Sequence, residues 1–167
     1  MRTLKILLVL AAVILSGFSK DSQRTEAGVV KSMKMCGQTI DTGGETICTP
    51  VQYGITHTQF GLLKGNQTHG GKIIPELSPW EITSCNTDLT TRLNISTIYG
   101  MVTVANGDSY LYDCIMTVNI DDKSVIMDIT VTGGVGRFEG VTGQLTCTGS
   151  LHNVVTFCGE GFMSFPK

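Results

Sequence analysis

Three histidines, His57, His69 and His152, are the residues of this 167-residue chain best suited to proton transfer or metal binding, and no two are spaced as neighbours on a helix. A lone imidazole can still serve as a base where a fold brings a partner to it. His57 is the one expected near a barrel mouth; its plainer role is structural, held by hydrogen bonds. His69 and His152 fall in polar stretches and are expected to be solvated. The serines of Gly107-Asp108-Ser109-Tyr110-Leu111 and Thr148-Gly149-Ser150-Leu151-His152 do not fit the GxSxG elbow of a serine hydrolase. Asp108 and the pair Asp121-Asp122 sit where turns are expected, and no acidic loop has the ligand offsets of a calcium-binding hand. Neither a metal nor a cofactor is expected.

The six cysteines are Cys36, Cys48, Cys85, Cys114, Cys147 and Cys158. The closest two are eleven positions apart, so the tight pairs of a zinc site are missing. An even number of cysteines in an exported chain points to disulfides. Sequential pairing is expected: Cys36–Cys48, Cys85–Cys114 and Cys147–Cys158. The last pair lies symmetrically about His152-Asn153, a plausible hairpin tip. Simple alternation, however, seats Phe157 rather than Cys158 on the inner face, so a bulge would have to intervene.

Thr132–Gly143 reads TGGVGRFEGVTG. A dinucleotide-binding GxGxxG would place glycine where Glu139 stands and would open a helix, whereas QLTCTGS follows and reads as a strand. The glycines Gly133, Gly134, Gly136, Gly140 and Gly143 instead suit a sharp corner with close strand approach, and Phe138 is placed to plug a barrel end. Arg137 and Glu139 flank Phe138. They are expected either to pair at the surface or to meet a ligand.

Composition identifies the elements that must carry these residues. From residue 20 onward Thr, Val and Ile supply 21, 12 and 12 residues, while alanine occurs only at Ala27 and Ala105. Cβ-branched residues suit a pleated surface, and no stretch keeps an apolar period of 3.6. Arg92–Ala105 alternates, with Leu93, Ile95, Tyr99 and Met101 on one side. Asn106-Gly107 then predicts a tight type I′ turn. Tyr110–Ile120 returns with Tyr112, Cys114, Met116 and Val118 on one face, and Ser124–Thr132 climbs with Val125, Met127, Ile129 and Val131 together. Gln144–Leu151 and Val154–Phe165 finish the sheet. Earlier, Gly28–Met35 and Val51–Leu63 could each be a strand, with a loop over Asp41–Glu45. Gly65–Pro79 is polar and glycine-rich and predicts a long exposed excursion. Short turns without crossovers make an antiparallel meander, and closing it into a roughly eight-stranded, calycin-like β-barrel removes the exposed edges. The expected class is all-β.

The glycine corner, preceded by Thr56-His57-Thr58-Gln59-Phe60-Gly61 and Ala105-Asn106-Gly107-Asp108, resembles the allene-oxide-cyclase-like and dirigent-like β-barrels and small secreted bacterial proteins of that kind. Those carry a T-H-x-G segment, an A-N-G-D hairpin and a GGTG-F-G-A-x-G corner in this order. The likeness covers about residues 50–166 and departs at Val135, at Val141 and in the six cysteines. It implies an eight-stranded antiparallel barrel. It transfers no catalytic residue, because fold does not carry function.

Met1–Ser19 has the layout of a secretory leader: Arg2 and Lys5, an apolar run from Ile6 to Leu15, then Gly17 and Ser19 before a cleavage point. Ten apolar residues make about 15 Å of helix, about half a hydrocarbon core, so no membrane span is expected after cleavage. Residues 20–27 are polar and expected to be loose, and 20–167 to form one barrel domain. The formal charge of −2 and the lack of a basic cluster argue against nucleic acid as a partner. The expected function is that of an exported, disulfide-stabilised, non-catalytic module, secreted or periplasmic, binding a small apolar or phenolic ligand or another surface. Tyr53, His57, Tyr99, Arg137 and Glu139 are the candidate contacts. A cyclase- or isomerase-like enzyme using the barrel cavity and a structural envelope protein are the alternatives.

Overall fold

The computed structural model describes residues 28–44 and 59–167. The leader, residues 20–27, Cys48, Tyr53 and His57 lie outside them. Among the described residues nine strands follow one another: β1 (Val29–Gly43), β2 (Phe60–Gln67), β3 (Gly71–Lys72), β4 (Pro79–Asp88), β5 (Leu93–Thr103), β6 (Ser109–Asn119), β7 (Ser124–Val135), β8 (Thr142–Leu151) and β9 (Val155–Phe165). All pairings are antiparallel. β9, β8, β7, β6, β5, β4 and β2 continue outward from β1, and β2 pairs back onto β1, so eight strands form a closed, barrel-like ring with the short β3 beside β2. Among the described residues no helix is long and apolar enough to cross a membrane.

Alternation fixes which residues face inward. On β6 and β7, Tyr112, Cys114, Met116, Val118, Val125, Met127, Ile129 and Val131 are all buried. Their neighbours Asp113, Ile115, Ile126 and Asp128 are exposed. The outer wall also carries exposed Glu81, Lys34 and Glu160. The outer wall thus mixes charged residues with exposed apolar ones, Ile95, Tyr99, Ile115 and Ile126 among them.

Several details differ from the sequence reading. β5 turns inward with Ser96, Ile98, Gly100 and Val102, so Ile95 and Tyr99 stand on the outer wall. The hairpin between β5 and β6 is not a two-residue type I′ turn: the Val104 amide donates to the Asp108 carbonyl and Gly107 alone takes a positive φ, of 89°. That arrangement is a three-residue loop with a left-handed glycine. β1 runs on through Asp41–Gly43, where a loop was expected.

The stretch 65–79 is part of the wall. Among the described residues β2 and β4 share three paired positions, and residues 73–78 fill the gap between β2 and β5. The Leu63 amide donates to the Ser78 carbonyl and the Ile74 amide to the Thr103 carbonyl, both at 2.8 Å. The Ser78 hydroxyl donates to the Ile74 carbonyl and accepts from the Thr103 amide. These bonds satisfy the backbone where the segment is covered, at Ile73 and Ser78, while Asn66, Thr68, His69, Lys72, Glu76 and Leu77 are exposed, as expected. Ile73 bridges to Val104, and together with Tyr110, Phe138 and Val141 it closes this end of the ring.

The cysteines pair in a different pattern from the sequential one. Cys36 and Cys158 face each other in register on β1 and β9 and form a disulfide across the outer wall, 122 residues apart in sequence. Cys36 is therefore not bonded to Cys48. Cys147 points inward while Cys158 points outward, so the two sit on opposite faces, and no bulge corrects this. Cys85 is disulfide-bonded, whereas Cys114 and Cys147 are buried free thiols, which excludes a Cys85–Cys114 bridge.

Candidate functional site

The two ends of the ring differ. At the closed end the Phe138 ring packs edge-on against Tyr110, with centroids 5.2 Å apart. Phe138 reaches this place because the corner after β7 bends at Gly136 and Gly140, both in the left-handed region at φ 66° and 65°. Gly133 and Gly134 lie just before the end of β7 at Val135, and Gly143 lies against the Phe162 carbonyl of β9. Arg137 bonds to Asp108, with Nε 3.2 Å from Oδ2, and its guanidinium lies 5.0 Å above the Phe138 ring. Its partner is thus Asp108 rather than Glu139, which is exposed on the same corner.

Toward the other end the interior is hollow. A cavity of about 270 Å³ opens there, walled by Leu63, Trp80, Ile82, Ile98, Val118 and Val155. Met116 and Met127, directly opposed on β6 and β7, also line it. Methionine is unbranched and polarisable, so this pair makes an adaptable apolar surface. The rim carries Asp41 of β1 and Lys123 of the β6–β7 turn.

The polar groups inside are mostly engaged. The Ser96 hydroxyl donates to Asn94 Oδ1 at 3.1 Å, Asn94 Nδ2 donates to Thr87 Oγ1 at 3.0 Å, and both residues approach Cys85 Sγ. Thr39 Oγ1 accepts from the Val155 amide, and Trp80 Nε1 donates to the Leu62 carbonyl. Tyr112 is the exception. It lines the cavity with no hydrogen-bond partner for its hydroxyl among the described residues. Burial pushes its phenol well above the ordinary range, so it is a neutral donor at neutral pH.

Among the described residues, none of the contacts expected from sequence lines this cavity. Tyr99 is 41% exposed on the outer wall, Arg137 and Glu139 belong to the closed end, and Tyr53 and His57 lie outside the described residues. His69 is exposed, with Nε2 2.9 Å from the Ser32 carbonyl, and His152 is exposed at the β8–β9 turn. Among the described residues no three His, Cys, Asp or Glu side chains gather as a metal would need. The inward register of β4 and β5, which sets Trp80, Ile82, Ser96 and Ile98 in the cavity, is the signal that sequence reading missed.

The chain matches no family model. No curated protein matches it either.

Proposed function

We propose that this protein is an exported, non-catalytic binding module whose barrel holds a small apolar or phenolic ligand in the open-ended cavity. The observation that carries the reading is the unfilled interior: an eight-stranded ring is just wide enough to pack solid or to hold one small ligand, and this one leaves about 270 Å³ open. That volume lies a little below the range of drug-sized pockets and suits a single ring or a medium-length acyl chain. Apolar walls supply affinity, and the Tyr112 hydroxyl supplies one oriented donor. The engagement of Asn94 and Ser96 with each other favours holding a ligand over acid–base work. Export is supported by the leader pattern and by the disulfides, which form in oxidising compartments.

Trp80 is the only tryptophan in the chain and it lines the cavity. Titration with phenol derivatives and medium-chain fatty acids should therefore shift its emission and raise the thermal midpoint together. No change with either class, at concentrations up to the solubility limit, rejects the reading.

A further inference from the structure

We propose a second binding site, for an acidic saccharide, on the outer wall near the closed end. A groove of about 650 Å³ runs there between the paired strands β1 and β2 and the segment 72–76. It is distinct from the interior cavity, with which it shares no lining residue. Its polar contacts are Gln38, Lys64, Asn66 and Lys72, and Ile74-Pro75 forms an apolar side.

The two lysines are unlike most other cations of the molecule. Lys34, Arg92 and Arg137 each face a carboxylate within 4 Å, and Lys31 lies over the Phe165 ring. Lys64 and Lys72 are exposed and have neither kind of partner among the described residues, although the chain is net acidic. The register draws them together. Lys72 is paired with Asn66, and Lys64 lies two residues before Asn66 on the same strand. Two residues of strand span about 7 Å and neighbouring strands lie about 5 Å apart, within reach of two flexible lysine stems converging on one anion.

The surrounding chemistry narrows the ligand. Gln38, paired with Lys64 across β1 and β2, and Asn66 offer amide donors and acceptors suited to hydroxyl groups. Ile74 and Pro75 offer a surface to the C–H face of a sugar ring. Glu76 closes one end of the groove with the opposite charge, so the anionic group lies at the lysine end and the remainder of the ligand is neutral and hydroxylated. The groove is far larger than an inorganic anion requires. A carboxylated or sulfated sugar meets all of these demands.

The test is calorimetric titration of the whole exported protein with a galacturonic acid trimer, and with maltotriose as the neutral control of equal length. The acidic trimer should bind, with affinity falling as salt is raised from about 20 to about 150 mM, and maltotriose should not. The double variant Lys64→Ala/Lys72→Ala should lose about tenfold in affinity while keeping its thermal midpoint. Equal binding of the two sugars, no binding of the acidic trimer at millimolar concentration, or unchanged affinity in a folded double variant each overturns the proposal. The single variant Glu76→Gln removes no cation and should bind at least as well as the parent; clear weakening would also count against it.

Discussion

Tyr112 lies across Gly100. The two are directly opposed on β6 and β5, and a Cβ placed on Gly100 would stand 2.5 Å from both Cζ and the hydroxyl of the tyrosine. The missing side chain on one strand is what seats the aromatic ring on the other, at the cavity wall.

Gly100→Ala should therefore force the Tyr112 ring to shift, at a cost of about 1–3 kcal/mol in urea unfolding, and should weaken any ligand titration read through Trp80. Tyr112→Phe keeps the ring and removes only the hydroxyl without a partner. It should leave stability within about 0.5 kcal/mol and weaken phenolic ligands more than purely aliphatic ones. Equal loss of both ligand classes in Tyr112→Phe would show that the hydroxyl does not orient the ligand.

The Cys36–Cys158 bridge joins the first and last long strands on the outside of the ring, where ten paired positions already hold β1 to β9. Removing it with Cys36→Ser/Cys158→Ser should cost about 2–5 kcal/mol, chiefly by freeing a long loop in the unfolded chain. The far-UV circular dichroism should stay that of a β-sheet protein. Alkylation under native conditions should leave Cys114 and Cys147 unlabelled, and denaturation without reductant should expose those two. Labelling of Cys36 or Cys158 without reductant would contradict the pairing.

At the closed end the Tyr110 hydroxyl donates to Gln67 Oε1 at 2.5 Å, both residues being buried. Gln67 Nε2 has no partner of its own among the described residues. Tyr110→Phe should cost about 1–3 kcal/mol, because it leaves the amide oxygen buried and unpaired as well. Adding Gln67→Leu should recover most of that loss, since removing both polar partners is far cheaper than removing one. A double variant less stable than Tyr110→Phe alone would show that the amide has a stabilising role beyond this bond.

The later strands were legible because their inward positions are almost uniformly apolar: Tyr112, Cys114, Met116 and Val118 on β6 allow only one inner face. β5 was not legible in that way. Its inward set contains Ser96 and Gly100, while its outward set contains Ile95, Tyr99 and Met101, so hydrophobicity favours the wrong side. The neighbours settle it, since Gly100 is needed under Tyr112. β1 hides its length for a related reason: beyond Met33 and Met35 the next inward position is Gly37. The polar segment 65–79 could be recognised as wall only once Ser78 and Thr103 were seen to satisfy its backbone. The Cys36–Cys158 pairing depends on how the ends of the ring register, which local spacing does not encode.

Alkaline pH offers the last test. Burial pushes the Cys114 thiol up to about 12 and Cys147 up to about 11, from an ordinary value of 9.0. Tyr110 and Tyr112 move in the same direction for the same reason. The folded chain thus keeps protons that the unfolded chain releases. Stability from the thiols is complete below about pH 9 and falls as pH rises from there through the folded values, with the tyrosines joining from their ordinary value near 10. Urea midpoints should be flat near neutrality and decline between about pH 9 and about pH 11. Cys114→Ala/Cys147→Ala should be less stable at neutrality yet lose less over the first part of that decline. An identical slope in this variant and its parent would mean that the two thiols are not what the fold keeps protonated.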